Sequence, residues 1–239
     1  MKKTNPYLSF GALFLAVSLL CAALFSRFDS FLMASIESVD AAPKPLIILD
    51  AGHSGEDGGA SGSNGVLEKD LNHALTSSLA SLLRLAGYEV LESRTEDKLL
   101  YDEGTKKGHK KQGDLQNRLA LTQQNPDSIF ISIHMNTFPT ADCRGVQVWY
   151  SQGNDASQDW ARTVQGTVRA LLQPENNRKP KAATSGIYIL RHALTPAILI
   201  ECGFISTPDE CERLCDAAYQ KALVLTLFSA IDEKMRTQP

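Results

Sequence analysis

The chain has 239 residues and a net charge of −3, with 43% hydrophobic and 21% charged residues. That balance suits one globular domain of moderate size plus an appendage. It argues against a general nucleic-acid binder, and no low-complexity tract or internal repeat points to a fibrous or solenoid protein.

The appendage is residues 1–26, which read as a membrane anchor or a signal peptide. Lys2 and Lys3 precede an apolar run of 19 residues from Tyr7 to Phe25, long enough to cross a bilayer as a helix. The two lysines favour a cytoplasmic N-terminus, so the remainder is expected to be exported. Val39-Asp40-Ala41 offers a small-residue cleavage site. It lies 14 residues beyond Phe25, so an uncleaved transmembrane anchor is the expectation and a cleaved signal peptide the competing reading. Residues 27–45, with Pro43 and Pro45, form a linker. The folded domain is expected to span 46–239.

Leu46 to Asp50 is the first predicted strand. Residues 51–65 follow as a loop with six glycines in fifteen positions, open to backbone conformations closed to other residues. Its glycines lack the dinucleotide spacing, and no phosphate-loop lysine follows. Leu71, Leu75, Leu79, Leu82 and Ala86 fall at helical spacing, and Gly87 is the expected stop. Tyr88 to Leu91 is a second strand, which makes a parallel βαβ unit. Residues 95–113 are a polar loop whose Lys106, Lys107, His109, Lys110 and Lys111 are expected to be solvated. Leu115 to Gln124 is a short helix with Arg118 buried on it. Strands are expected at Ile129–His134, Gly145–Tyr150, Ile187–Leu190 and in the run Pro196–Phe204, with Gly203 ending the last one after Glu201. Helices are expected at Ser157–Leu172, Asp209–Cys215 and Ala218–Met235. The fold class is therefore α/β, a single domain with a mostly parallel mixed sheet of about six strands flanked by helices.

Two buried strands lead into imidazoles, His53 and His134, and a third leads into a carboxylate, Glu201. A carboxylate there is costly unless it is paired, bonded or near a metal, and a structural ion pair with an arginine is the bland alternative. Parallel neighbours would bring all three strand ends to one edge. Two imidazoles and one carboxylate are a typical ligand set for a catalytic zinc. Glu68, Glu56, Asp57 and Asp70 compete for the carboxylate position. His73 lies within a helix and His192 in a loop, so neither is expected to be a ligand. Glu201 fits the proton carrier that such a site needs. Cys143, Cys202, Cys211 and Cys215 show no paired CxxC motif and are expected to be ordinary thiols. A Cys211–Cys215 disulfide would be strained.

The strings Ile-Leu-Asp-Ala-Gly-His-Ser-Gly at 48–55, Gly-Val-Leu-Glu-Lys-Asp-Leu at 65–71, Phe-Ile-Ser-Ile-His-Met-Asn at 130–136 and Ala-Ile-Leu-Ile-Glu-Cys-Gly-Phe-Ile-Ser at 197–206 resemble the zinc-dependent N-acetylmuramoyl-L-alanine amidases. The resemblance implies that His53, Glu68 and His134 hold zinc, with Glu68 chosen over its neighbours, and that Glu201 is the catalytic acid/base. It implies hydrolysis of the amide between muramic acid and L-alanine, with peptidoglycan glycan and stem peptide as partners. The short length, single anchor and basic insertion at 105–113 look like the germination-type amidases of spore formers, which act on cortex glycan on the way to muramic-δ-lactam. A general vegetative-wall amidase, a zinc peptidase or deacetylase, and a non-catalytic tethered wall-binding module are the alternatives. An anchored wall hydrolase needs restraint, which implies a protein activator that no residue identifies. Ser54, where the family usually has Gly, puts the fine geometry of His53 in question.

Overall fold

The computed structural model describes residues 44–140 and 142–237. The expected anchor at 1–26 and nearly all of the linker at 27–45 lie outside them. No single described helix is long and apolar enough to cross a membrane.

Six strands form one sheet in the order β2-β1-β3-β6-β4-β5. They are β1 (Ile47–Ala51), β2 (Val90–Glu92), β3 (Ile129–Asn136), β4 (Gln147–Tyr150), β5 (Lys181–Ala182) and β6 (Ala197–Phe204). β2, β1, β3 and β6 run parallel, whereas β4 is antiparallel to β6 and parallel to β5. The helices are α1 (Glu68–Leu85), α2 (Lys110–Gln124), α3 (Asp155–Leu171), α4 (Tyr188–His192), α5 (Pro208–Cys215) and α6 (Ala217–Thr237).

Side chains alternate across the strands, and this alternation creates two cores. On one face, Ile47, Leu49, Ile131, Ile133, Ile198 and Ile200 pack against α1, α3 and α6. Leu71, Leu75, Leu79 and Leu83 form the buried stripe of α1, each contributing about 1.5–3 kcal/mol when fully buried. The stripe therefore turns through Leu83; Leu82 is only partly buried and Ala86 is exposed. On the other face, Ile48, Phe130, Ala197 and Leu199 pack on Leu119 of α2 and on Ile189 and Leu190 of α4. This second layer is smaller, and it leaves the ends of the central strands open.

Four expectations change. Of the segment 187–190, residues 188–190 lie in the helix α4 and Ile187 caps it, so no strand forms there. Its apolar run is too short to distinguish the two by pattern. The fifth strand is instead Lys181–Ala182, within the Lys-, Pro- and Asn-containing segment 174–184, whose composition predicts a loop. Nor does Gly203 end β6, which continues to Phe204. A Cβ at Gly203 would lie 3.1 Å from the Glu210 carboxyl carbon. The glycine makes room for that buried carboxylate, which accepts from the amides of Gly145 and Phe204 at 2.8 and 2.7 Å. The basic stretch is also partly structured, since a 3₁₀ turn at Lys107–His109 leads into α2 at Lys110.

Candidate active site

β1, β3 and β6 are adjacent and parallel, so their C-terminal ends share one edge, where open α/β sheets place their sites. Phe130, Ser132 and His134 alternate on β3 onto the α2/α4 face, as Ala197, Leu199 and Glu201 do on β6. His134 and Glu201 are register partners. The Gly52 amide donates to Ile133 O at 3.1 Å, which delivers His53 to the same place. A Cβ on Gly52 would sit 2.2 Å from the His134 ring, so only glycine fits. Gly52→Ala is expected to push His134 aside and to lower the affinity for a metal ion held through that imidazole roughly 10–100-fold, the scale of a disturbed ligand support. Equilibrium titration with a competing chelator checks this, and unchanged affinity would refute it.

Glu68 opens α1, is buried, and lies between the imidazoles. His134 Nδ1 faces its Oε1 at 2.9 Å, and His53 Nε2 its Oε2 at 3.2 Å. The imidazole rings are 5.0 Å apart, with their planes at 74°. Glu68 also accepts backbone donations from Ala60 at 2.8 Å and Met135 at 3.1 Å. Burial alone would raise its pKa, but hydrogen bonds and charge from His134 and His53 hold it well below the usual carboxylate range. One donor atom from each of His53, Glu68 and His134 lies within 4.8 Å of the others. Two neutral-capable imidazoles and an ionised carboxylate at this separation fit a zinc-type ion with a position left open.

The other carboxylates sort by geometry. Glu56 and Asp70 are exposed, and Glu56 pairs with Lys110 at 3.3 Å. Asp57 stands behind His53, its Oδ2 3.0 Å from Nδ1. It orients a candidate ligand instead of competing for the ion. That role was not legible in the sequence, because four residues of irregular loop set no distance. For His53, burial lowers the pKa, but the Glu68 and Asp57 carboxylates raise it on balance. His192 closes α4 and turns Nδ1 to Tyr188 O at 2.8 Å, and neither it nor His73 belongs to the cluster.

Ser54 is buried and does not take the left-handed region. His53 itself takes the left-handed region, with φ of 60°, a strained state that persists only where surroundings enforce it. Arg118 does much of that. Fully buried, it pairs with Asp50 through Nη1 and with Asp114 through Nε at 2.8 Å. It also donates to the carbonyls of Ala51 at 2.8 Å and His53 at 3.2 Å. Burial raises the Asp50 pKa, but Arg118, Ser132 and Ser93 bring it below its ordinary value.

Glu201 stands beside the cluster with Oε2 sealed from solvent and without a hydrogen-bond partner. No arginine or lysine pairs with it among the described residues, so the structural ion pair is absent there. Burial pushes its pKa up to about 7; the charge of Glu68 adds to this, and His134 and His53 oppose it. His53, His134 and Glu201 open onto a cleft of about 280 Å³ walled by α2, α4 and the strand ends. The four cysteines of the described residues are free. Cys202, next to Glu201, is buried on the opposite face, and burial pushes its thiol pKa far up, which leaves it unreactive.

A family model described as N-acetylmuramoyl-L-alanine amidase matches residues 47–233. The chain is 32% identical over 232 residues to the germination-specific N-acetylmuramoyl-L-alanine amidase of Bacillus subtilis (strain 168), covering 97% of this chain and 95% of that one. Among solved structures it resembles the CwlD amidase of Clostridioides difficile, determined in complex with the GerS lipoprotein. That match has a TM-score of 0.77 and 32% identity, over 81% of this chain and 100% of the other. It also resembles the N-acetylmuramoyl-L-alanine amidase AmiC2 of Nostoc punctiforme, with a TM-score of 0.69 and 26% identity, over 82% and 99% of the two chains.

Proposed function

The chain belongs to the N-acetylmuramoyl-L-alanine amidase family, and from that premise we propose that it is a zinc enzyme of spore-cortex peptidoglycan with His53, Glu68 and His134 as ligands and Glu201 as acid/base. The observation that carries this reading is the convergence of the three donors beside an unpartnered, half-buried carboxylate in one cleft. A bound zinc supplies Lewis-acid polarisation of the scissile carbonyl and activation of water. The protein does the rest. Glu68, held ionised by its surroundings, and His53, oriented by Asp57, keep the donor geometry. Glu201 takes the proton from the attacking water and gives it to the departing L-alanine amine. A carboxyl whose pKa lies near neutrality suits both transfers.

The likeness to the B. subtilis germination-specific enzyme supports the cortex as substrate. Removal of stem peptides there is a step toward muramic-δ-lactam. The C. difficile CwlD complex with a lipoprotein supports a protein partner for this chain too. We place residues 1–26 as the membrane anchor or signal peptide, 27–45 as linker and 46–239 as the exported catalytic domain.

Digestion of purified cortex and vegetative peptidoglycan, followed by mass analysis, tests the reaction. Free stem peptides that begin with L-alanine are expected, with faster release from cortex. Activity should vanish on chelation and return with zinc. Intact stems on altered sugars would refute the amidase, and chelator-insensitive release would refute the metal.

A further inference from the structure

The basic stretch is not free surface at its C-terminal end. Lys110 and Lys111 open α2 and reach back to the glycine-rich loop. Lys111 Nζ lies 3.0 Å from Asp57 Oδ2, and Asp57 Oδ2 lies 3.0 Å from His53 Nδ1. The Lys111 side chain is 67% exposed and lines the same cleft as His53, His134 and Glu201. Much of that wall is apolar, with Leu115, Phe130, Ile187 and Leu199, and Lys111 is its one lysine or arginine among the described residues.

We propose that Lys111 reads a free carboxylate on the second residue of the stem peptide, so that the enzyme prefers stems acidic at that position over stems carrying a carboxamide there. The inference rests on the amidase reading. In such a stem, L-alanine presents only a methyl group, which suits the apolar wall. The residue after it is a glutamate linked through its side chain, which leaves the α-carboxyl either free or amidated. Each extended residue advances about 3.3–3.6 Å, so that group stands roughly 7 Å from the scissile amide. Two successive contacts of 3.0 Å separate Lys111 Nζ from the His53 ring, a comparable reach. The existing pair with Asp57 does not block the role. An exposed ion pair of this kind is weak, and Asp57 keeps His53 when the ammonium swings to a substrate. A carboxamide can still accept a hydrogen bond from the ammonium, but only a carboxylate adds the opposite charge, which makes the bond shorter and stronger.

The test uses the full chain and two synthetic muramyl peptides that differ only in carboxylate against carboxamide at the second residue. The wild type is expected to favour the acid by about tenfold in kcat/KM, the scale of one charge-assisted bond. Lys111→Met should bring the ratio close to one by losing rate on the acid, and Lys111→Arg should keep most of the preference. Zinc content should be unchanged in both variants. No preference in the wild type would overturn the proposal. So would an equal loss on both substrates in Lys111→Met, which would mean that Lys111 acts only through Asp57 on His53. Failure of the wild type to cleave either peptide would instead overturn the amidase reading, and this inference with it.

Discussion

Replacing Glu201 with glutamine is expected to slow hydrolysis by roughly 10²–10⁴-fold, the usual contribution of a positioned general acid/base, while zinc remains at about one per chain. The substitution keeps the shape of the side chain, so β6 and its pairing with His134 should persist. What it removes is the ability to accept a proton. Glu201 lies outside the cluster of donors that could share an ion, and its inner oxygen has no hydrogen-bond partner. Its ordinary pKa would leave it a poor proton donor near neutrality. Burial pushes that value up to about 7, where both proton transfers are accessible. Turnover and zinc content measured on the same sample decide the matter. Loss of zinc would make Glu201 a ligand, and full turnover would remove it from the mechanism.

Arg118→Met is expected to cost about 3–5 kcal/mol of stability, the scale for breaking a buried ion pair from one side. For a domain of this size that corresponds to a fall in Tm of roughly 6–20 °C. Methionine fills similar volume, so the loss comes from charge and hydrogen bonding. Asp50 and Asp114, both buried, lose their common partner. The carbonyls of Ala51 and His53 lose their guanidinium donor as well. Because these carbonyls flank the left-handed residue His53, zinc affinity should fall together with Tm. Thermal unfolding and metal titration of the zinc-loaded protein check both effects. A Tm within about 2 °C of wild type would show that the network is dispensable.

The strands that build the site were legible because they are short, apolar and buried on both sides. Ile47–Asp50, Ile129–His134 and Ala197–Glu201 announce themselves by composition. The α1 helix was legible from its leucine period, and Gly87, with φ of 81°, stops it as expected. What failed was local and weak in pattern. Ile187–Leu190 carries too few residues to separate strand from helix. Lys181–Ala182 forms a strand only because β4 offers an edge to pair with. Leu171 lies three residues after Val168 yet is 63% exposed, because the buried face of α3 continues through Leu172, which packs on the core.

Within the site the division follows the range of the interactions. The sequence by itself determined an α/β chain in which two buried strands lead to histidines and a third to a glutamate. That much follows from side-chain chemistry and from a period of two along a strand, which are local properties. Only the tertiary structure decided that β1, β3 and β6 are neighbours, that His134 and Glu201 share a register position, and that Asp57 turns behind His53 while Glu68 faces both imidazoles. Those facts depend on contacts across 66 residues between Glu68 and His134, and 67 between Arg118 and the carbonyl of Ala51. No spacing within the chain encodes a distance of that kind, because it is set by how two cores of unequal size close on the two faces of one sheet.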